Sequence, residues 1–599
     1  MKKNSLRAAA ARGKAPVTGR KKGTWKNKIV FGILLVILLV VSVTACNLFS
    51  FRPSGSEEVQ KEFDSFVNDI FLSKVQGDSI SLNCYLSDPE AFGITDFAPT
   101  LGSFSADELR AQLASSENIQ AALKNFPYKK LTDEQQLIYD SLKFSYQTDP
   151  KSEDFIYYYE ALGPTTGLQA QLPILLAEYH FSSSADVEEY LEILPLIYPY
   201  FEEIAAFEKE KSEAGLFMSD FAADDIIKQC SGFISSPDSN FLLETFSDRL
   251  EGLELTDKEK SGYIKQNKKA VKESVIPAYE LLIDTLTELK GTGTNEEGLC
   301  HYPLGKEYYT SLVQGSTGSS KSVEEMEKRL EKLLSDSLGQ MKEIATADPD
   351  VYDEILTSVF PDAKPDELLN ELKEACAVNF PGTPQTAIKV NYVHPSLEEY
   401  LSPAFYLMTP IDEASEHAIY INGGSDYDAA SLFTTLAHEG YPGHLYQDLY
   451  FSSQDVSPLR KVMSFGGYSE GWGTYAEMSS YNMAGLKENV AGMLSNNMEA
   501  TLAVHGITDI GIHYYGWSLK EAEQFLAKFG IKDKDSIERI YKRIVEDPGN
   551  YLKYIVGYCE ILDLKEQAKK SWSDYSDMKF HTFFLDMGPS PFDAIKKRI

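Results

Sequence analysis

Cysteine is scarce in this chain of 599 residues: there are six, at positions 46, 84, 230, 300, 376 and 559. No two of them have the C-x-x-C spacing that is typical of a thiolate metal site. If Cys46 is used for another purpose, five remain, and an odd number argues against a complete disulfide framework. The sequence leaves one or two bridges open and does not pair them.

Basic residues are fewer than acidic ones, and those at the start of the chain belong to a predicted targeting segment. The first 45 residues hold ten of the 57 basic residues and none of the 90 acidic ones, so the remainder has 47 basic against 90 acidic residues and a formal charge of −43. Such a surface repels nucleic acid and anionic lipid. We therefore expect no nucleic-acid partner.

The N-terminus has the order of a bacterial export signal. A basic region ends near Lys28, and residues 29–43 form an apolar run of about 15 residues, which is short for a membrane-spanning helix. The tetrapeptide Val-Thr-Ala-Cys at 43–46 resembles the lipobox, whose cysteine is lipidated and becomes the mature N-terminus. We predict a lipoprotein signal peptide over 1–46, lipidation of Cys46 and a tether over 47–57. The alternative is an uncleaved membrane anchor; either way the body lies outside the cytoplasmic membrane.

The sequence has no internal repeat of fixed period and no alternation of β and α units, and helical periodicity dominates it after the N-terminal segment. Residues 58–380 carry apolar positions three and four apart, with long runs at 187–209, 257–289 and 322–344. Short β-like runs follow at 387–393, 405–408 and 418–421, and then helices at 431–440, 471–483 and 490–513. This predicts one mainly α domain over 58–599, with a helical part at 58–380, a catalytic part at 381–599 and a small sheet beside the helix that bears the site.

Two histidines and two glutamates form the most informative group in the sequence: His438, Glu439, His444 and Glu470. In the common H-E-x-x-H arrangement the histidines lie four residues apart and face one metal. Here they lie six apart, which on an ideal helix is a rotation of about 240°. Pro442 cannot donate to the carbonyl of His438, so we expect a kink or a two-residue bulge that returns His444 to the metal.

The chemistry of these side chains suits one Zn²⁺ ion. Zinc prefers neutral imidazole and carboxylate ligands with one position left for water, and His438, His444 and Glu470 supply three ligands. Glu439 then has the place of the general base. The alternative is that the histidines are ordinary core residues and that the glutamates lie on solvated faces.

These residues carry a resemblance to a known family. The chain resembles the bacterial family called domain of unknown function 885, which is grouped with the gluzincin-type metallopeptidases. The matching segments are H-E-G-Y-P-G-H at 438–444, E-G-W-G-T-Y-A-E at 470–477, D-I-G-I-H at 509–513 and P-G-N-Y-L-K-Y at 548–554, and weaker resemblance covers roughly 57–599. The resemblance implies a mostly helical fold around a deep cleft, as in the angiotensin-converting-enzyme and thimet-oligopeptidase group. The sequence departs from that wider group by the two extra residues between the histidines.

The resemblance also implies a donor on the far wall of the cleft, because a tetrahedral intermediate needs hydrogen bonds to its oxyanion. His513 and Tyr554 lie in the later matching segments and near small residues that permit close approach. We predict that both are catalytic, with Asp509 orienting a histidine. The alternative is that His505, Asp509 and His513 form a polar helix face, and that Tyr554 only packs.

A rival pattern, G-x-S-x-G, occurs at 467–471 around Ser469. As the nucleophile elbow of an α/β-hydrolase it needs a buried strand before it and a parallel sheet around it. The preceding segment contains Arg460 and Lys461 and lacks the pattern of a buried strand. A serine hydrolase is therefore disfavoured.

Together these observations predict a membrane-anchored, extracytoplasmic lipoprotein that hydrolyses peptide bonds with one Zn²⁺ ion. The partners implied are a peptide substrate and, through the lipid anchor, the membrane. The alternative is a catalytically silent lipoprotein that keeps the peptidase fold and captures peptides or cell-wall fragments. Metal content distinguishes the two.

Overall fold

The structure is a computed structural model, and it describes residues 55–149, 152–393, 395, 398, 403–413, 416–424 and 427–599. The compact unit runs from Ser56 to Ile599. The predicted signal peptide, Cys46 and most of the predicted tether lie outside the described residues. Residues 56 and 57 belong to the first helix, so the helical body begins two residues before the predicted boundary.

The described part of the chain is mainly helical, as the periodicity predicts. The helices before the sheet are α1 (Ser56–Val75), α2 (Ser79–Tyr85), α3 (Ala106–Leu123), α4 (Asp133–Thr148), α5 (Leu168–Ala177), α6 (Ser184–Ile193), α7 (Ile197–Glu213), α8 (Asp220–Ile234), α9 (Phe241–Leu250), α10 (Asp257–Ala270), α11 (Ile276–Leu289), α12 (Gly305–Thr317), α13 (Val323–Ala347), α14 (Val351–Thr357) and α15 (Pro365–Cys376). Among the described residues, none of the helices is long and apolar enough to cross a membrane.

Helix α13 illustrates why these segments are helical. Ser322 caps its first turn in a capping box with Glu325, which satisfies two otherwise unpaired backbone N–H groups. Its buried residues are Val323, Met326, Leu330, Leu333, Leu334 and Ser337, which recur at intervals of three and four and so form one apolar face. This face packs into the main hydrophobic core with helices that follow the sheet.

The predicted run at 187–209 is divided, as its prolines lead one to expect. Helix α6 ends at Ile193, a single 3₁₀ turn spans Leu194–Leu196, and α7 begins at Ile197. Pro195 lies in that turn, because proline has no backbone N–H to donate to the preceding turn.

A three-stranded sheet follows, as predicted, with β1 (Ala387–Tyr392), β2 (Ala404–Leu407) and β3 (Glu416–Ile421). The order is β1-β3-β2; β1 is parallel and β2 antiparallel to β3. Tyr406 lies opposite Ile419 in this register. Strand β2 is therefore an edge strand, with one side free to contact the helices that follow.

The helices after the sheet are α16 (Ala429–Glu439), α17 (His444–Ser452), α18 (Pro458–Val462), α19 (Gly466–Ser480), α20 (Glu488–Ile510), α21 (Leu519–Leu526), α22 (Lys534–Glu546), α23 (Asn550–Ser571), α24 (Asp577–Met587) and α25 (Phe592–Lys596). Helices α19 and α23 cross closely: a Cβ atom on Gly471 would lie 2.4 Å from the backbone carbon of Gly557. Cys84, Cys230, Cys300, Cys376 and Cys559 are free thiols, so neither of the bridges left open by the sequence forms among them.

Candidate metal centre

The two histidines lie on different helices, and not on one bulged helix as the sequence leads one to expect. Helix α16 ends at Glu439 and α17 begins at His444, with a four-residue turn between them. The turn is fixed from outside by Trp472, which is fully buried and whose Nε1–H donates to the carbonyl of Pro442 at 2.8 Å. Because one helix ends and another begins between them, two histidines six residues apart can face each other, which they could not do on one straight helix.

Gly443 allows the second histidine to return to the first. A Cβ atom at this position would lie 1.7 Å from the carbonyl oxygen of His438, so no other residue fits without moving the turn. Its own carbonyl accepts from the N–H of Gln447 at 2.9 Å, which opens α17. The close approach places the imidazoles of His438 and His444 edge to face, with ring centroids 4.7 Å apart.

Three donor atoms converge from α16, α17 and α19. Oε2 of Glu470 lies 3.6 Å from Nε2 of His438 and 3.5 Å from Nε2 of His444. One ligand atom from each of these three residues lies within 4.8 Å of the others. The three residues that the sequence nominates as metal ligands are therefore brought together.

Helix α19 also supplies the surface on which His438 rests. A Cβ atom on Gly473 would lie 2.6 Å from Nε2 of His438 and 2.8 Å from its Cε1. The imidazole of His438 therefore occupies the space that a side chain at residue 473 would fill. Glu470 and Gly473 are three residues apart on one helix face, so the same turn both contacts the ring and presents a carboxylate to it.

Glu477 is a member of the centre that the sequence reasoning missed. Its Oε2 lies 3.5 Å from Nδ1 of His438, on the side of the ring opposite to Glu470. A carboxylate on the distal nitrogen fixes the tautomer and orientation of a ligating histidine. Glu470 and Glu477 are seven residues apart, close to two helical turns, so their shared face was available from the sequence as a signal.

Glu439 lies at the edge of this group and is held by the sheet. Its Oε2 accepts the backbone N–H of Tyr406 on strand β2 at 2.9 Å. The hydroxyl of Tyr406 donates in turn to Asp448 on α17 at 2.5 Å. Strand β2 is thereby tied to both histidine-bearing helices, and one carboxylate oxygen of Glu439 is held in place.

Tyr554 on α23 forms another side of the centre. Its ring centroid is 6.0 Å from that of His438. Burial raises the pKa of Tyr554 above its ordinary value of 10, and the neighbouring charges of Glu470 and Glu439 raise it further. The hydroxyl therefore keeps its proton at neutral pH and remains a hydrogen-bond donor.

His513 is not brought to this centre, which corrects the prediction of an oxyanion donor. The residue is fully buried in a π-helical turn that extends α20, and both ring nitrogens are used by the backbone: Nδ1 accepts from the N–H of Leu299 at 3.1 Å and Nε2 contacts the carbonyl oxygen of Ile544 at 2.8 Å. Burial lowers the pKa of His513 to about 4, so the ring is neutral. It joins distant segments and has no N–H left for an oxyanion.

Asp509 likewise has a different partner from the predicted histidine. It accepts the hydroxyl of Tyr309 at 2.6 Å and the backbone N–H of Gly549 at 3.1 Å on each oxygen. Gly549 is the N-cap of α23, the helix that carries Tyr554. Burial raises the pKa of Asp509 to about 8, although both hydrogen bonds act in the opposite direction.

The electrostatics of the centre favour a cation. Burial by itself would lower the pKa of His438, but hydrogen bonding to Glu470 and Glu477 outweighs it and raises that pKa well above its ordinary value. Burial would raise the pKa of Glu470, yet the two imidazoles hold it well below its ordinary value. Both shifts arise because carboxylates surround the two rings, and the same carboxylates attract a divalent ion.

The structure also argues against a nucleophile elbow at the G-x-S-x-G pattern around Ser469. Ser469 lies in the first turn of helix α19, and its hydroxyl contacts the carbonyl oxygens of Phe465 and Gly466 at 3.4 and 3.3 Å. The segment before it contains helix α18 rather than a strand. A serine in a helix, with its hydroxyl turned back to the preceding turn, does not have the exposure that the elbow provides.

The structure is thus a mainly helical body that carries a group of two histidines and one glutamate where three helices meet. The family described as "Bacterial protein of unknown function (DUF885)" matches residues 89–599, and the chain belongs to this family. No curated protein matches the sequence.

Two solved structures have the same fold. A predicted lipoprotein from Colwellia psychrerythraea has a TM-score of 0.80 and 19% sequence identity, over 90% of this chain and 98% of that one. A predicted lipoprotein of unknown function from Shewanella oneidensis has a TM-score of 0.60 and 16% identity, over 91% of this chain and 99% of that one. At these identities the likeness is one of fold.

Proposed function

We propose that this protein is a zinc-dependent peptidase of the gluzincin type, which binds one Zn²⁺ ion through His438, His444 and Glu470 and hydrolyses peptide bonds. The observation that carries the proposal is the convergence of these three side chains from three different helices, with the Glu439 carboxylate and the Tyr554 hydroxyl beside them.

The residues fit the ion by distance and by chemistry. Tetrahedral zinc with bonds of about 2.0–2.2 Å needs ligand atoms roughly 3.3–3.6 Å apart. The separations from Glu470 to the two histidine nitrogens, 3.6 and 3.5 Å, agree with that requirement. The imidazole of His438 can adopt this position only because residue 473 is glycine.

A zinc ion held by His438, His444 and Glu470 would supply a Lewis acid that makes a carbonyl group more electrophilic and water more acidic. The Glu439 carboxylate, fixed by the Tyr406 N–H, accepts the proton that the attacking water gives up. The Tyr554 hydroxyl donates a hydrogen bond to the carbonyl oxygen of the scissile bond as negative charge grows there. Glu477 holds the imidazole of His438 in one orientation.

We place the enzyme outside the cytoplasmic membrane, anchored through lipid on Cys46. Support comes from the lipobox-like tetrapeptide at 43–46 and from the two similar structures, which are both described as lipoproteins. Cys46→Ala is expected to abolish acylation and processing, whereas Cys84→Ala, a matched change of a free cysteine in the body, leaves both intact. Mass spectrometry that finds an intact Met1 in the mature protein would refute the anchor.

The base is tested by a pair of glutamate variants. Glu439→Gln keeps size and most hydrogen bonding but removes the proton acceptor, so hydrolysis of a peptide library should fall by roughly 10²–10⁴ while zinc content is unchanged. Glu488→Gln, on an exposed first turn of α20, is the control and should behave as the parent. Equal hydrolysis by Glu439→Gln and the parent would remove Glu439 from the mechanism. A parent that binds peptides but hydrolyses none would favour the silent binding protein.

A further inference from the structure

A cavity lies away from the candidate metal ligands, between the first half of the domain and the start of α23. Its volume is about 370 Å³. It is bounded by the segment before α5, the start of α8, the segment before α12, and the connection between α22 and α23, which includes Asp547 and Pro548. None of its lining residues is a member of the metal centre.

The walls of this cavity combine aromatic rings with carboxylates. Four tyrosines line it, at positions 158, 159, 302 and 308, together with Glu160, Glu297, Glu546 and Asp547. The described residues that line it include no lysine, arginine or histidine. Aromatic faces and carboxylates both attract a positive charge.

Two of the four carboxylates already have a basic side chain within 4 Å. Glu160 is paired with the ammonium group of Lys211, which is fully buried and also lies 3.6 Å from Glu208. Oε2 of Glu297 lies 3.2 Å from Nε2 of His301. These two carboxylates therefore have partners within the protein and need no ligand.

The other two carboxylates leave oxygen atoms unsatisfied. Oε1 of Glu546 and Oδ2 of Asp547 are buried and have no hydrogen-bond partner among the described residues. A buried acceptor without a partner destabilises the fold, and does so more strongly if it is charged. Burial raises the pKa of Glu546 to about 7; the charge of Asp225 adds to this effect, and Arg543 and Lys542 oppose it. Burial also raises the pKa of Asp547 above its ordinary value, although Lys553 and Arg543 act in the opposite direction. A ligand with N–H donors and a positive charge would satisfy both oxygens.

The segment that leads into α23 lines the cavity, and α23 itself carries Tyr554. Pro548 lines the cavity, and Tyr554, six positions further along the chain, lies beside His438; six positions of an ideal helix span about 9 Å. An extended peptide covers about 3.3–3.6 Å per residue, so this distance corresponds to roughly three residues. A peptide with its scissile bond at the metal centre would therefore reach the cavity with a group about three residues away.

We propose that this cavity binds a positively charged ammonium group of the substrate, about three residues from the bond that is cut, with Asp547 and Glu546 as the carboxylates that receive it. The inference rests on the proposed peptidase function, because it assigns the substrate class of that centre. The ammonium group has two possible sources in a peptide, the free α-amino terminus and a lysine side chain.

Calorimetry on the full-length, zinc-loaded chain carrying Glu439→Gln tests the inference without turnover. The probes are tetra-alanine amide with a free α-amino group, the same peptide acetylated, and acetyl-Lys-Ala-Ala-Ala amide. We expect the free peptide or the lysine peptide to bind at least about tenfold more tightly than acetylated tetra-alanine amide. Tight binding of the free peptide alone identifies the α-amino group, and tight binding of the lysine peptide identifies the side chain.

Asp547→Asn on the same background should reduce the preference to less than about threefold, and Glu546→Gln is the second variant should the first fail to fold. Asp535→Asn, an exposed residue in the first turn of α22, is the matched control and should retain it. Equal binding of all three probes, or a preference that survives both variants, would overturn the inference. Hydrolysis by the parent without any ammonium preference would refute the cavity assignment alone, whereas a preference without hydrolysis by the parent would refute the peptidase alone.

Discussion

The space beneath His438 gives a sharp test of the metal centre. In Gly473→Ala the new Cβ atom would lie 2.6 Å from Nε2 of His438, about 0.8 Å inside ordinary van der Waals contact, so the imidazole has to move by most of an ångström. A functional constellation tolerates displacements of only about 0.5 Å. Overpacking of this kind costs about 1–3 kcal/mol, which, if it falls on the zinc-bound state, corresponds to a loss of zinc affinity of roughly 5–150-fold.

The assay is a competition for zinc against a chromophoric chelator, with the thermal midpoint of unfolding measured on the same samples. Alanine favours a helix over glycine by up to about 1 kcal/mol, so the fold should survive the substitution at residue 473 while the affinity falls. Gly339→Ala is the control, because that glycine lies in α13 with open space around its Cβ position. If Gly473→Ala binds zinc as tightly as the parent, Nε2 of His438 is not a ligand and the reasoning fails.

Three further predictions concern residues around the centre. Glu477→Gln should weaken zinc binding by about 10–100-fold with little change in the thermal midpoint, because it removes the charge behind His438; undiminished affinity would make Glu477 a packing residue. Tyr554→Phe should lower kcat by about 10–10³ with KM and zinc content nearly unchanged, and an unaltered kcat would remove the hydroxyl from the mechanism. The raised pKa of Asp509, about 8, means that the folded state holds a proton that the unfolded state loses above pH 4, so stability falls as pH rises from about 4 to about 8. Asp509→Asn should flatten that decline in denaturant titrations at several pH values, and an unchanged slope would contradict the assignment.

Much of the fold could be predicted from local signals. The run at 322–344 is a helix because its apolar residues recur at helical spacing and Ser322 caps it. The small sheet was visible as three short β-like runs, although the pairing of β1 with β3 rather than β2 was not, because pairing depends on contacts between distant segments.

The three candidate metal ligands could be nominated from their residue types, but their geometry could not be predicted. The turn between α16 and α17 depends on Trp472, 30 residues from Pro442, and its bond is a tertiary contact that periodicity does not reveal. Glu477 could have been found, because it lies two turns from Glu470 on the same helix face.

His513 shows the opposite error. Its segment matches the family, and its position on one face with Asp509 favoured a catalytic role. Its two ring nitrogens contact backbone groups of Leu299 and Ile544, which lie 214 and 31 residues away in the sequence. No local sequence pattern predicts these contacts. A conspicuous histidine was therefore assigned to chemistry although its contacts are those of a buried connector.

The central claim is that His438, His444 and Glu470 bind one zinc ion, and metal analysis of the full-length protein purified without chelator tests it most directly. The account predicts about one zinc ion per chain in the parent and in His180→Ala, an exposed histidine used as the control, and almost none in His444→Ala. A parent that stays free of zinc after incubation with excess ion, or a His444→Ala variant that keeps a full equivalent, would contradict it.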